Sequence, residues 1–254
     1  MKKITKERKH ELYLQIEPIA REARERIIDC NSIIHDSFKL LEQQGFFIVG
    51  FPAQDDKLSG FHAEKSNIHF IYINTAQDLG RQYFSLWHEY YHIYTGEKSD
   101  ISLTNNRDCD EIEYKAECFA GCILMPKELV DRYLKNNGID IFWLRHTDLI
   151  KMYTYFGVSY NAMLTRLIQL FPVCKNLNKL YGLSTPKRRE DFIAKIRENQ
   201  GNESLIHPTN RLYISPRFFE DLQFNVENNR VSAQRVEGII NMLNGVEQSS
   251  AQRD

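Results

Sequence analysis

Two histidines four residues apart, His88 and His92, stand with Glu89 between them in the run FSLWHEYYHIYTGE, Phe84 to Glu97. If that run is helical, residues four apart share a face. Both imidazoles can then reach one metal ion at about 2.0–2.1 Å. Glu89 is turned by one position, poorly placed to ligate the same ion but well placed to hold a water beside it. His-Glu-x-x-His is the spacing of a zinc-activated water with a glutamate general base, chemistry that hydrolyses peptide bonds. An ordinary amphipathic helix can also carry two histidines, so the reading turns on a third ligand.

A catalytic zinc needs three protein ligands and an open fourth position. The nearest source is DEIEYKAECFAGCILMP, where Glu113 and Glu117 are four apart on one helix face, beside Ile112, Ala116, Phe119 and Ile123. A carboxylate so close to an apolar stripe is costly unless a cation meets it. The plainer reading leaves Glu113 and Glu117 solvated. Cys118 and Cys122 are also four apart and offer a structural zinc site instead, although small buried thiols packing a helix explain them as well. His62 and His69 fall on strands beside the expected cleft and read as hydrogen-bonded structural histidines. Tyr90, Tyr91 and Tyr94 crowd the histidine helix, and any of them could donate to a developing oxyanion. Trp87 and Phe84 read as anchors of that helix in the core.

The elements that must position these groups follow from hydrophobic spacing. Leu12, Ile16, Ile19, Ala23, Ile27, Ile34, Phe38 and Leu41 recur every three or four residues, which predicts helix over 5–44, ended at Gly45. Pro18 is expected to start a new helix or kink the first. GFFIVGF (45–51) predicts a strand, and 57–65 with 67–74 a strand pair. Helix is expected over 78–94, 110–125 up to Pro126, and 127–138. Residues 148–170 read as helix, turn and helix about Gly157. Beyond Pro172 the texture weakens, with helix starts at Ser215-Pro216 and at Ser232 and a frayed final ten residues.

The 254 residues, 42% hydrophobic and 26% charged, suffice for a substantial core. A net charge of −1 gives no global attraction to nucleic acid or anionic lipid. No apolar run approaches the ~20 residues of a membrane span, and no signal-peptide pattern follows the basic start. The five cysteines are odd in number and form no Cys-x-x-Cys. A cytoplasmic location is expected.

Four blocks in order carry a family resemblance: IHFIYIN, RQYFSLWHEYYH, EYKAECFAGCILMP and FGVSYNAMLTRL. Together they resemble the ImmA/IrrE family of bacterial metallopeptidases over residues 35–172. The family pattern is a strand ending in Ile-Asn, Arg-Gln-x-Phe-Ser/Thr leading into His-Glu-x-x-His, then Glu-x-x-Ala-Asn-x-Phe-Ala-x-x-Leu-Met-Pro, then Val-Ser-x-x-Ala-x-x-x-Arg-Leu. The resemblance implies a gluzincin-like arrangement with one Zn2+ per chain, held by His88, His92 and Glu113. It implies Glu89 as catalytic base and Glu117 as the group that supports a ligand histidine from behind. It also implies a protein substrate, such as a helix-turn-helix repressor of a mobile element or a stress response. Two departures stand out. Tyr91 occupies the position where the family usually has Gly, and Glu117 the position where it often has Asn or Asp.

The expected fold is α+β, a small and mostly antiparallel sheet packed by helices, with the zinc helix under the sheet. An N-terminal helical segment (1–34), the peptidase-like domain (35–172) and a helical C-terminal appendage (173–254) make up the expected organisation. Two other functions compete. One is a non-proteolytic regulator that uses the zinc fold as a scaffold, which leaves Glu89 without a role. The other is DNA binding through 148–170, with Val158-Ser159 opening a recognition helix. That helix offers few base-reading side chains (Tyr160, Asn161, Thr165 and Arg166), and the basic cluster Lys187, Arg188 and Arg189 reads as a solvated helix start. Direct DNA binding is therefore not expected, nor is a membrane partner.

Overall fold

The computed structural model describes residues 3–55, 57–66, 68–97 and 110–251. Helix α1 (Lys6–Glu25) starts at Thr5, whose hydroxyl accepts from the backbone N–H of Arg8. Its buried face, Leu12, Tyr13, Ile16, Ala20 and Ala23, packs on α4 (Glu111–Leu124). Pro18 lies inside α1 rather than at a helix start. It is on the solvent side, as is Leu14 one turn earlier. The carbonyl that loses a proline's N–H donor can be met by water there. The continuous helix expected to Gln44 is instead two helices. The chain turns after Glu25, and α2 (Ser37–Gln43) starts afresh at Asp36, whose side chain accepts from Lys39 N–H.

Strands β1 (Phe47–Phe51), β2 (Gly60–Lys65), β3 (Ile68–Asn74) and β4 (Tyr213–Ile214) form one sheet in the order β2-β3-β1-β4. β2–β3 and β1–β4 pair antiparallel, while β1–β3, the central pair, is parallel. β2 is thus an edge strand. Asn74 closes β3 and is fully buried. Its Oδ1 accepts from Ala53 N–H (2.9 Å) and Ala76 N–H (3.0 Å), and its Nδ2 donates to the Leu58 carbonyl (2.8 Å). One amide therefore ties the loop after β1, the approach to β2 and the exit of β3. Gln82 acts similarly one step later, donating to the Gln77 carbonyl at 2.7 Å.

Helix α3 (Leu79–Thr95) packs against β2, β3, α2 and α4. Trp87 is fully buried, and its indole N–H donates to the Ser37 hydroxyl at 2.9 Å. Helix α4 begins at Asp110, whose side chain accepts from Ile112 N–H, and α5 (Lys127–Asn136) follows Pro126. The carbonyls at the end of α4, which lack helical partners, are met by two buried arginines. Arg24 of α1 donates to Ile123 O (2.8 Å), and Arg166 of α7 (Tyr160–Leu170) donates to Met125 O (2.9 Å). Helix α6 (His146–Phe156) joins α7 through Gly157, whose φ of 65° suits glycine.

Residues 173–214, expected in an appendage, share the core and the sheet. Leu177, Leu180 and Leu183 lie in a 3₁₀ segment. Phe192 and Ile196 of α8 (Arg189–Glu198) and then Leu205 and Ile206 follow, and all join the same buried cluster as α1, α3, α4 and α7. His207 O accepts from Leu79 N–H at 2.9 Å, at the start of α3. Ser215 stands at the expected helix start, just before Pro216, but its side chain is turned to β1 rather than capping the helix. Its hydroxyl accepts from Ile48 N–H (2.7 Å), and its N–H donates to Ile48 O (2.9 Å). Beyond it, α9 (Pro216–Glu227) buries no residue, and α10 (Ala233–Ala251) continues as helix where fraying was expected.

Replacing Ser215 by Ala leaves the Ile48 N–H without its side-chain acceptor in a buried place. Thermal unfolding is expected to report a loss of about 1–3 kcal/mol. A chain ending at residue 172 loses β4 and the cover of α6 and α7, so it is expected not to unfold cooperatively. A cooperative melt of that shortened chain would return the boundary of the folded unit to 172.

Candidate metal centre

Seventeen residues of regular helix carry His88 and His92 to the interior, one turn apart on the face of α3 that meets α4. Glu113 sits in the first turn of α4, where the Asp110 cap fixes the start of the helix. The three side chains converge. Glu113 Oε2 is 3.2 Å from His88 Nε2, Glu113 Oε1 is 3.5 Å from His92 Nε2, and the two Nε2 atoms are 3.4 Å apart. Their side chains are 1–4% exposed. In a tetrahedral site with bonds of about 2.0–2.1 Å, neighbouring donors lie roughly 3.3–3.4 Å apart. The two Nε2 atoms are spaced in this way, and a carboxylate oxygen lies near each of them, so the three side chains could hold a metal ion. Among the described residues, this is the one group of three or more potential ligands.

Burial depresses the His92 imidazolium, with the neighbouring His88 acting in the same direction. The neutral ring that results is the form a metal requires. Its Nδ1–H donates to the backbone carbonyl of Glu97 at 2.9 Å, which turns the Nε2 lone pair inward. That carbonyl is in place because Gly96 ends α3 in the left-handed region (φ 72°) and returns the chain toward the site. Glu117, expected behind a ligand histidine, is half-buried one turn beyond Glu113. It lines a cavity of about 410 Å3 between α1, α3, α4 and α7, together with Arg81, Phe84 and Tyr114. The group behind His92 is the Glu97 carbonyl.

Glu89 is buried beside the ligands, with a side chain 3% exposed. Its Oε2 accepts from His62 Nδ1–H at 3.1 Å. His62 stands on the edge strand β2, its ring stacked on that of His92 with centroids 5.7 Å apart, and at 24% exposure it is the member of the group nearest solvent. His62, expected as a hydrogen-bonded structural histidine, meets Glu89. Its alternation in β2, pointing to the face that α3 covers, was the available signal. His69 lies elsewhere, against Phe46.

Of the tyrosines, Tyr90 joins an aromatic cluster with Phe46, Trp87 and Phe119, and burial pushes its phenol up to about 12. Tyr91 donates to Glu97. Among the described residues, Cys118 and Cys122 are not brought into a ligand set, and Cys109 lies outside those residues. Cys118 Sγ accepts from Gln169 Nε2 at 3.2 Å, and burial pushes its thiol up to about 12, far from the thiolate a metal needs. Of the side chains weighed for base reading on α7, two are buried and the two exposed ones are engaged by neighbouring residues. Arg166 is buried against Met125 O, Thr165 shares a hydrogen bond with Tyr181, and Asn161 accepts from Ser184.

A small sheet lying on a helix with two histidines and a glutamate, with a third donor from the next helix, defines a metallopeptidase-type domain. The chain matches the IrrE N-terminal-like domain, peptidase M78, over residues 41–167, half of its length, and it belongs to that family. No curated protein matches it.

His92→Ala or Glu113→Ala is expected to remove the metal from the purified protein, read by elemental analysis. Both should also abolish the stabilisation by added metal, which amounts to about 2.7 kcal/mol at a hundredfold excess over Kd. Cys118→Ser with Cys122→Ser should leave the metal content unchanged. The opposite pattern would move the site to the cysteines.

Proposed function

We propose that this chain is a zinc-dependent endopeptidase that cleaves a regulatory protein in the bacterial cytoplasm. The carrying observation is the buried triangle of His88, His92 and Glu113 with Glu89 held next to it. Two imidazoles and one carboxylate are the donor set of catalytic zinc, and they leave a fourth position for the reaction. A zinc ion bound there supplies Lewis acidity, activating water and polarising the scissile carbonyl.

The chain's own groups do the rest. Glu89 takes the proton from the attacking water and delivers it to the departing amide nitrogen. His62 holds Oε2 of Glu89 and leaves the other oxygen for that transfer. β2 is an edge strand whose Gly60 lies close to the Glu89 side chain. A substrate segment in extended form can add to such an edge through main-chain hydrogen bonds, which demand little of its sequence. The expectation that β3 or its partner borders the cleft is supported by the His62 contact. Family membership favours a helix-turn-helix repressor of a mobile element or a stress response as substrate. Among the described residues no helix is long and apolar enough to cross a membrane. The helices beyond Ser215 are the part we assign to a peripheral role, since none of their described side chains is buried.

Glu89→Gln keeps the shape and removes the base. Cleavage of the partner is expected to fall about 10²–10⁴-fold, while zinc content and melting temperature stay at the wild-type values. Equal regulation of the partner in cells by wild type and variant would replace proteolysis with a scaffold role.

A further inference from the structure

The hydrogen bond that orients His92 comes from a backbone carbonyl just past the end of α3, where helix ends ordinarily fray. Here Glu97 is gripped on every side. Its N–H donates to Thr95 Oγ1 (3.3 Å), and the preceding Gly96 N–H donates to His92 O (3.0 Å). Its carboxylate accepts from Tyr91 Oη at 2.6 Å and from Lys115 Nζ at 2.9 and 3.2 Å. Tyr91 is buried to 1% exposure, with its ring 5.4 Å from that of Phe119 and its edge toward His92. A buried phenol needs a partner for its hydroxyl, and this one donates to the Glu97 carboxylate. Lys115 lies on α4, two positions after the ligand Glu113. The grip therefore spans the two helices that share the metal, and its bonds are charge-assisted.

We propose that Tyr91, Glu97 and Lys115 are positioning residues that set the tautomer and orientation of the His92 imidazole and the spacing of His92 from Glu113. The inference rests on the metal-centre reading above and is independent of proteolysis. It gives the tyrosine that replaces the family's usual glycine a function.

The test uses the full chain with Zn2+ and, separately, Co2+ as probes. Tyr91→Phe keeps the buried ring and deletes the hydroxyl. Lys115→Met keeps the stem and deletes the charge. Glu97→Ala removes both acceptors, and Glu97→Gln keeps an acceptor for Tyr91. Zinc affinity by chelator competition is expected to fall on the order of 10–100-fold for Tyr91→Phe and Glu97→Ala, the usual range for loss of a group behind a metal ligand. Lys115→Met should fall in the same direction, and Glu97→Gln should recover part of the loss. The Co2+ ligand-field spectrum should shift in the variants that lose affinity, because the His92 ring is no longer held. Melting of the metal-free proteins, measured alongside, separates a purely structural effect. Variants with lowered metal-free stability but wild-type zinc affinity and Co2+ spectrum would overturn the proposal, as would unchanged affinity throughout. A wild-type chain that binds no zinc would overturn the metal-centre reading and this inference together, whereas a wild-type chain that binds zinc but cleaves nothing leaves the affinity comparison fully decisive.

Discussion

The carboxylate of Glu113 is buried between two imidazoles at 3.2 and 3.5 Å. Taking a carboxylate out of water costs several kcal/mol unless a cation and good geometry compensate. That contact binds α4 to α3 in one register. One helical residue of slip, a rise of about 1.5 Å with a rotation of about 100°, would carry Glu113 off the shared face. Much of the remaining architecture serves to prevent such a slip. Arg24 and Arg166 hold the carbonyl end of α4 from opposite sides, and Asp110 holds its amide end. A helix pinned at both termini and packed on α1 has little freedom to slide.

The same demand falls on α3 from the sheet side. Asn74 and Gln82 organise the passage from β3 into the helix, and Trp87 anchors the helix on Ser37. Residues 207–210 close that junction from far along the chain: His207 O receives the Leu79 N–H, and Asn210 N–H donates to Thr75 O. The placing of His88 and His92 thus depends on segments more than a hundred residues apart in sequence, which is why residues 173–215 belong to the folded body despite their weak sequence texture. Beneath the edge strand, Glu89 and His62 form the chemical face of the site, and on the other side the Glu97 turn forms its support.

Local periodicity made several parts of this protein legible in its sequence. His88 and His92 share a helix face because the α-helix repeats every 3.6 residues, and Glu113 beside Ala116, Phe119 and Ile123 announced a carboxylate bordering the core. The extents of β1 and β3, the helix pair about Gly157, the stop at Pro126 and the helix start at Ser232 follow likewise from alternation, capping and the special backbone freedom of glycine and proline. Those signals act within a few residues, and their physics is the same in any tertiary setting.

Other features were decided only when distant segments met. Pro18 could remain inside α1 because burial of Leu12, Tyr13, Ile16 and Ala20 on α4 outweighs one missing hydrogen bond on the wet side. The parallel pairing of β1 with β3, and the two-residue strand β4, depend on which edge each segment reaches, and alternation along one strand does not encode that. Ser215 stands at a helix start as its sequence indicates, yet its hydroxyl is taken by the buried N–H of Ile48 in β1 rather than by the helix's own first turn. His62 reaches Glu89 because β2 lies over α3, and Glu97 serves His92 through a main-chain carbonyl that carries no residue-type signature at all. Sequence patterns report the side chains and the periodicity of one element. The partners of a hydrogen bond between elements are set by packing, and packing is a property of the folded chain as a whole.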